Sequence, residues 1–375
     1  MIKNRSVRIS SLGVALFSLG LLLQNAPARQ KTEFKMEAGV TIISNPKKPS
    51  PRPGGPSRLL LKEDLVIGRE STAGGYLFAD LRSVGVDDRE NIWTLDWKDI
   101  KVRVFDKTGK LISAFGRKGQ GPEEWQAPGR MVVLADGTAA IRDLNKLTFY
   151  SLEGKCLREV PLVKTNMSRF RIDSRGVIYG DRIDAGEKYV IKLIRYDQSL
   201  NPVATLADVE EPIKPGARNY FLTFLYCHVT GDDRLIWMSN ATYAFHVLNP
   251  DGKPVKTITK DYEPVKITDG ERKAMLAKYK ENPAYQKQMV FPAAYPPVNY
   301  FVGDAEGRLF AQTYEKNDKG ELLFDVFDAD GRCITRFSLP EDETLSAVNK
   351  NKLYVLVKED AEGRPLVKRY AMEWK

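Results

Sequence analysis

A scattered set of arginines and tyrosines supplies the residue types of a binding site: Arg82, Arg117, Arg130, Arg169, Tyr220, Tyr226, Tyr295 and Tyr300. Forked guanidinium groups suit carboxylates or phosphates, and aromatic rings suit sugars or peptide side chains. Signatures of covalent chemistry are absent: there is no Gly-x-Ser-x-Gly elbow, phosphate loop or Cys–His pair with supporting spacing. Only His228 and His246 are present, too few for a multi-histidine metal centre. Asp96, Asp99, Asp143, Asn145, Asn240 and Glu315 offer oxygens of the kind calcium takes, although carboxylates in solvated loops are common. Gly116, Gly119 and Gly121 have a superficial dinucleotide-binding spacing, but they open no helix in a βαβ unit.

What must position these residues is a repeat. A strand, an Asp/Gly turn, an aromatic-bearing strand, a third strand ending in Phe or Tyr, an Asp-x-x-Gly-Lys turn and a fourth strand follow one another most clearly over residues 84–116. Weaker copies begin at Met131, Phe170, Cys227, Tyr300 and about Leu345. A unit of roughly 40 to 50 residues with four strands is the signature of a β-propeller. The expected fold is all-β: six four-stranded antiparallel blades over residues 58–375. The last copy has three strands before Lys375, and Arg58–Gly68 is an orphan strand ahead of the first. Placing that strand on the outer edge of the last blade closes the ring and covers an open edge. One insertion, residues 262–299, separates blades 4 and 5. It carries a helical pattern with Thr268 or Asp269 as cap, Glu271 in the first turn and Pro283 as breaker. It either covers apolar surface or forms a flap over the channel mouth. The Asp-x-x-Gly sequences at Asp106, Asp173, Asp304 and Asp328 read as tight turns.

Residues 1–28 read as a signal peptide: Lys3, Arg5 and Arg8, then an apolar Ser11–Leu23, then Ala26–Pro27–Ala28. An uncleaved N-terminal anchor is the rival reading, and only that version would meet a membrane. Export places the protein in the periplasm or outside the cell. Residues 29–57, rich in Pro, Gly and Lys, are expected to be a linker, with a short surface strand before Asn45. Removing residues 1–28 takes away three cations and no acids, leaving +6 of the formal +9. Both signs are interspersed, which argues against nucleic acid as a partner. Cys156 and Cys333 fall on opposite blades, with Cys227 far from both, so disulfides are excluded by distance.

The stretch Phe115–Val133, FGRKGQGPEEWQAPGRMVV, with the repeat core before it, resembles the six-bladed propellers of the NHL-repeat type, including their exported bacterial versions. Gly119, Gly121, Pro122, Glu123, Trp125 and Pro128 fill that family's inter-blade loop pattern, and Glu123–Glu124 departs from its usual Gly–Glu pair. The resemblance implies the fold over residues 58–375. It implies no activity, because the family includes scaffolds, ligand binders and a few lyase or lactonase relatives.

Aligning the inner strands puts Ser83, Arg130, Arg169, Cys227, Tyr300 and Thr344 at one level of the channel mouth, with Arg82 and Tyr226 one residue earlier. Connecting loops add Arg69, Arg117, Lys118, Lys214, Arg218, Tyr220 and Tyr295. The expected function is a monomeric, non-catalytic binding module with no cofactor. It would recognise an anionic, carbohydrate or peptide ligand, or another envelope protein, at this basic, aromatic mouth. The alternative is a metal-dependent lactonase- or lyase-like enzyme with calcium at the channel. In either case the arginines could instead pair with Glu123 and Glu124.

Overall fold

The structure is a computed structural model and describes residues 7–8, 31–69, 77–162, 165–185, 189–211 and 216–375. Blade 1 is formed by Leu81–Val86, Ile92–Asp96, Lys101–Phe105 and Leu111–Phe115; blade 2 by Arg130–Val133, Ala139–Arg142, Lys146–Tyr150 and Cys156–Pro161. Blade 3 contains Phe170–Ile172, Ile178–Ala185, Tyr189–Tyr196 and Pro202–Glu211; blade 4 contains Leu225–Val229, Leu235–Ser239, Ala244–Leu248 and Pro254–Lys260. Blade 5 contains Tyr300–Gly303, Leu309–Lys316, Leu322–Phe327 and Cys333–Leu339. Blade 6 combines Glu343–Asn349, Lys352–Val357 and Leu366–Trp374 with Leu59–Ile67, which pairs antiparallel with Leu366–Trp374. The protein is thus a six-bladed β-propeller. The expected signal segment lies outside the described residues except for Val7–Arg8, whose backbone pairs with the outer strand of blade 3.

Each blade is only half of a core. Trp93, Val102 and Val104 of blade 1 pack with Met131, Ile141 and Tyr150 of blade 2. The same interdigitation joins blades 2 and 3, 3 and 4, 4 and 5, and 5 and 6. Ile67, Leu356 and Val367 meet Leu81, Val84 and Phe105 where blade 6 returns to blade 1. No sheet can bury its faces alone, so closure is a condition of burial. The loop between blades 1 and 2 belongs to this core. Trp125 is fully buried, edge-on to Tyr150 at 5.3 Å. Gly119 lies so close to Glu124 that a Cβ there would sit 1.8 Å from Oε2.

The segment expected as a linker is a built part of the fold. Glu33–Glu37 and Val40–Asn45 form a hairpin, and Val40–Asn45 runs parallel to Pro254–Lys260, extending blade 4 to six strands. Ile43 is fully buried in the core between blades 4 and 5. The chain then crosses the outer edge of blade 5, with the Ser50 N–H on Cys333 O at 2.8 Å and the Ser57 carbonyl accepting from Thr335 Oγ1 at 2.9 Å. Ser57 and Arg58 donate to the Lys375 carbonyl. The reason is local: Asn45, fully buried, donates Nδ2 to Gly331 O (2.8 Å) and Thr259 O (3.1 Å) and accepts from the Cys333 N–H (2.9 Å). One amide thereby fixes the strap to two blades.

The insertion holds two helices, α1 (Asp269–Ala277) and α2 (Pro283–Gln288). Thr268 and Glu271 form the capping box that starts α1. A short parallel pairing of Arg218–Asn219 with Met289–Val290 ties the insertion to the loop that leads into blade 4. No helix among the described residues is long and apolar enough to cross a membrane.

Candidate functional site

At the face where the inner strands begin, a buried Asp or Asn beside the second strand of four blades holds the incoming loop. Asp96 accepts from Ala79 and Asp80 N–H (2.7 and 3.1 Å), and Asp143 from Gln126 and Ala127 N–H (3.0 and 2.7 Å). Asp181 accepts from Ser168 and Arg169 N–H (2.6 and 2.8 Å), and Asn240 Oδ1 from the Phe224 N–H (2.8 Å). Three of the oxygen donors weighed for calcium, Asp96, Asp143 and Asn240, are therefore spent on backbone amides that would otherwise be buried without partners. Glu315 is held by Arg336 at 2.8 and 3.0 Å, and Asp99 by Arg103. Among the described residues, no three or more His, Cys, Asp or Glu side chains are grouped to hold a metal ion.

The loops so clamped set the first residues of the inner strands. On blade 3, Phe170 is fully buried while its neighbours Arg169 and Arg171 are half-buried, so both arginines share the other side of the strand. The Arg169 guanidinium lies 4.1 Å from the Phe224 ring centre and 5.3 Å from that of Tyr226, with Nη1 3.4 Å from Asp181 Oδ2. Arg171 donates Nη1 to the adjacent Phe170 carbonyl at 2.8 Å. Arg130 opens the inner strand of blade 2, which packs beside that of blade 3. Its side chain has no hydrogen bond or ion pair among the described residues. Burial pushes the Arg130 guanidinium down to about 10, and repulsion from Arg171 and Arg169 adds to the shift. Burial also lowers Arg171, with Arg169 contributing. For Tyr226, burial raises the phenol while Arg169 and Arg130 pull it back. Of the three guanidinium groups only Arg169 has an ion pair among the described residues, with Asp181, which leaves an excess of two positive charges.

The other residues expected at the mouth fall elsewhere. Arg82 occupies a bulge in its strand, is half exposed, pairs with Asp80 at 2.6 Å and lies over Trp97. Arg117, 71% exposed, is held by Glu124 at 2.9 Å. Arg130 and Arg169 make no such pair with Glu123 or Glu124. Tyr220 stacks on Phe291 at 4.8 Å, and Tyr295 stacks on Tyr314 at 4.5 Å while donating to Glu271 Oε1 at 3.0 Å. Both belong to the aromatic seat of the insertion, beside a groove lined by Tyr262, Pro296, Pro297 and Tyr314. Tyr300 packs between blades 5 and 6, edge-on to Phe324 at 6.3 Å. Of the tyrosines expected at the mouth, Tyr226 alone lies against the arginines. Lys214 lies outside the described residues.

Both histidines are core groups. His228 Nε2 lies 2.9 Å from Asp304 O, with the ring against Gly303, where a Cβ would come within 2.3 Å. His246 stacks on Trp237 at 4.3 Å. Burial pushes both imidazoles down to about 4. All three cysteines are free, and burial pushes the Cys227 thiol up to about 11.

The family model described as "DUF5128: 6-bladed beta-propeller" matches residues 71–219. The chain is similar to a family of six-bladed β-propellers. Among solved structures, a candidate exported protein of Bacteroides fragilis superposes with a TM-score of 0.56 at 13% identity, covering 88% of this chain and 99% of that one. A DUF4221 family member from Bacteroides vulgatus gives 0.51 at 11% identity, over 85% and 99% of the two chains. At these identities the likeness is one of fold alone. No curated protein matches the chain.

Proposed function

We propose that this propeller is an exported binding module that captures an anionic ligand between blades 2 and 3, at the basic mouth of its channel. One observation carries the reading: Arg130, Arg169 and Arg171 come from adjacent inner strands of blades 2 and 3, and of the three only Arg169 has an ion pair among the described residues, with Asp181. Like charges brought together at a stability cost are a mark of a functional site. Export is supported by the basic–apolar–small pattern of residues 1–28 and by the exported character ascribed to one structural neighbour. Phe224 and Tyr226 give the ligand's organic part an apolar wall. The test is titration calorimetry with acetate and inorganic phosphate at low ionic strength. Binding by the native protein, abolished in an Arg130→Met/Arg169→Met variant that still unfolds cooperatively, supports the reading. Equal binding by the two proteins, or no binding by either, contradicts it.

A further inference from the structure

The charge count of the cluster decides which anion fits. A carboxylate brings one charge and two coplanar oxygens, which a single guanidinium fork satisfies. Arg169 already has such a partner in Asp181, with Nη1 3.4 Å from Oδ2. A second carboxylate would leave the group with an uncompensated positive charge in a half-buried place. A phosphomonoester carries a charge of about −1.5 to −2 at neutral pH and presents three acceptor oxygens. That matches the excess of two charges and the approach of donors from two different strands.

We propose that Arg130, Arg169 and Arg171 together take the dianionic phosphoryl group of a phosphomonoester, with Phe224 and Tyr226 beside its organic part. This rests on the anion-site reading above. Arg171 is the residue that separates the two cases. It lies two positions along the strand from Arg169, about 7 Å deeper at the usual rise of a strand. Its observed hydrogen bond is to the neighbouring Phe170 carbonyl, not to a carboxylate. A single carboxylate at the mouth has no need of it. A tetrahedral oxyanion can use it as a third donor. Repulsion among the three guanidinium groups, already felt at Arg130 and Arg171, is what the second negative charge relieves.

The probes are phenyl phosphate, inorganic phosphate, sulfate and acetate, measured by calorimetry on the full chain. Phenyl phosphate should bind at least about ten-fold more tightly than acetate, because it brings one more charge to the same cluster. It should also exceed inorganic phosphate, which lacks the ring. Between about pH 7.5 and pH 5 phenyl phosphate affinity should fall several-fold as its second ionisation near 6 is reversed, while sulfate affinity stays constant. Arg171→Met should cost phenyl phosphate at least ten-fold and acetate little. Thermal unfolding of this variant and circular dichroism at the lower pH verify that the fold persists. If acetate binds as tightly as phenyl phosphate, or Arg171→Met changes neither, the dianion inference is overturned while the anion site stands. If inorganic phosphate matches phenyl phosphate, the ester is overturned. If no probe binds, the anion-site reading falls with it.

Discussion

Replacing Asn45 with alanine tests whether the N-terminal strap is part of the folded ring. The Asn45 side chain is fully buried. It makes hydrogen bonds to Thr259 O, Gly331 O and Cys333 N–H, and accepts a fourth from Thr32 Oγ1 at 3.0 Å. Alanine removes all four and leaves the Cys333 N–H and Gly331 carbonyl buried without partners. A neutral hydrogen bond contributes about 1 kcal/mol net, and an orphaned buried group costs about 1–3 kcal/mol. Adding these without double counting gives a loss of about 3–4 kcal/mol. Asn45→Asp should not rescue it, because the carboxylate keeps the acceptor but loses both donors and brings a buried charge. The assay is urea unfolding followed by tryptophan fluorescence, with Trp125 and Trp237 as buried reporters. A fall in the midpoint at unchanged slope is the expected result. A variant within about 1 kcal/mol of the native protein would refute the clamp and return residues 29–57 to the status of a linker.

Three further outcomes follow from the same geometry. Arg130→Met should raise stability by about 1–2 kcal/mol in anion-free buffer, since the fall of its guanidinium to about 10 on burial marks a destabilised charge and partial solvent contact trims its full value of about 3 kcal/mol; destabilisation in urea melts would show a structural guanidinium. Stability should fall with acid: the unfolded chain protonates His228 and His246 below about 6.5, whereas the folded protein does so only near 4. The stability is thus full above pH 6.5 and lost progressively toward pH 4, by about 1–2 kcal/mol per histidine at pH 5. His246→Phe, which keeps the stack on Trp237, should halve that slope in urea titrations, and an unchanged slope would count against the assignment. Finally, denatured protein without reductant should give three titratable thiols, and one thiol with a disulfide would contradict the placement of Cys156 and Cys333 on separate blades.

The blades were legible because each repeat states its own strands and turns. The Asp106 turn illustrates this: its carboxylate accepts from Thr108 and Lys110 N–H, and Gly109 takes the positive φ of 86°. The insertion was legible through the cap at Thr268, but Pro283, expected to end that helix, instead opens the second one behind the Asn282 cap, the first having ended at Ala277. The strap was not, because its order comes from tertiary hydrogen bonds of Asn45 and not from the Pro- and Gly-rich segment itself. At the site, alignment on first strand residues found Arg130, Arg169 and Tyr226 but missed Arg171, which the two-residue period of a strand would have supplied. It included Arg82 and Arg117, whose near neighbours in sequence, Asp80 and Glu124, hold them. Local ion pairs of that kind are invisible when residues are aligned only by level in the channel.

The most direct measurement is a crystal soaked in selenate, a tetrahedral dianion whose selenium is located by its anomalous signal. The expected result is a peak at the channel mouth within hydrogen-bond distance of the Arg130 and Arg169 guanidinium groups, lost in the Arg130→Met/Arg169→Met variant. A selenate bound only at other surface cations, with those two arginines unoccupied, would contradict it.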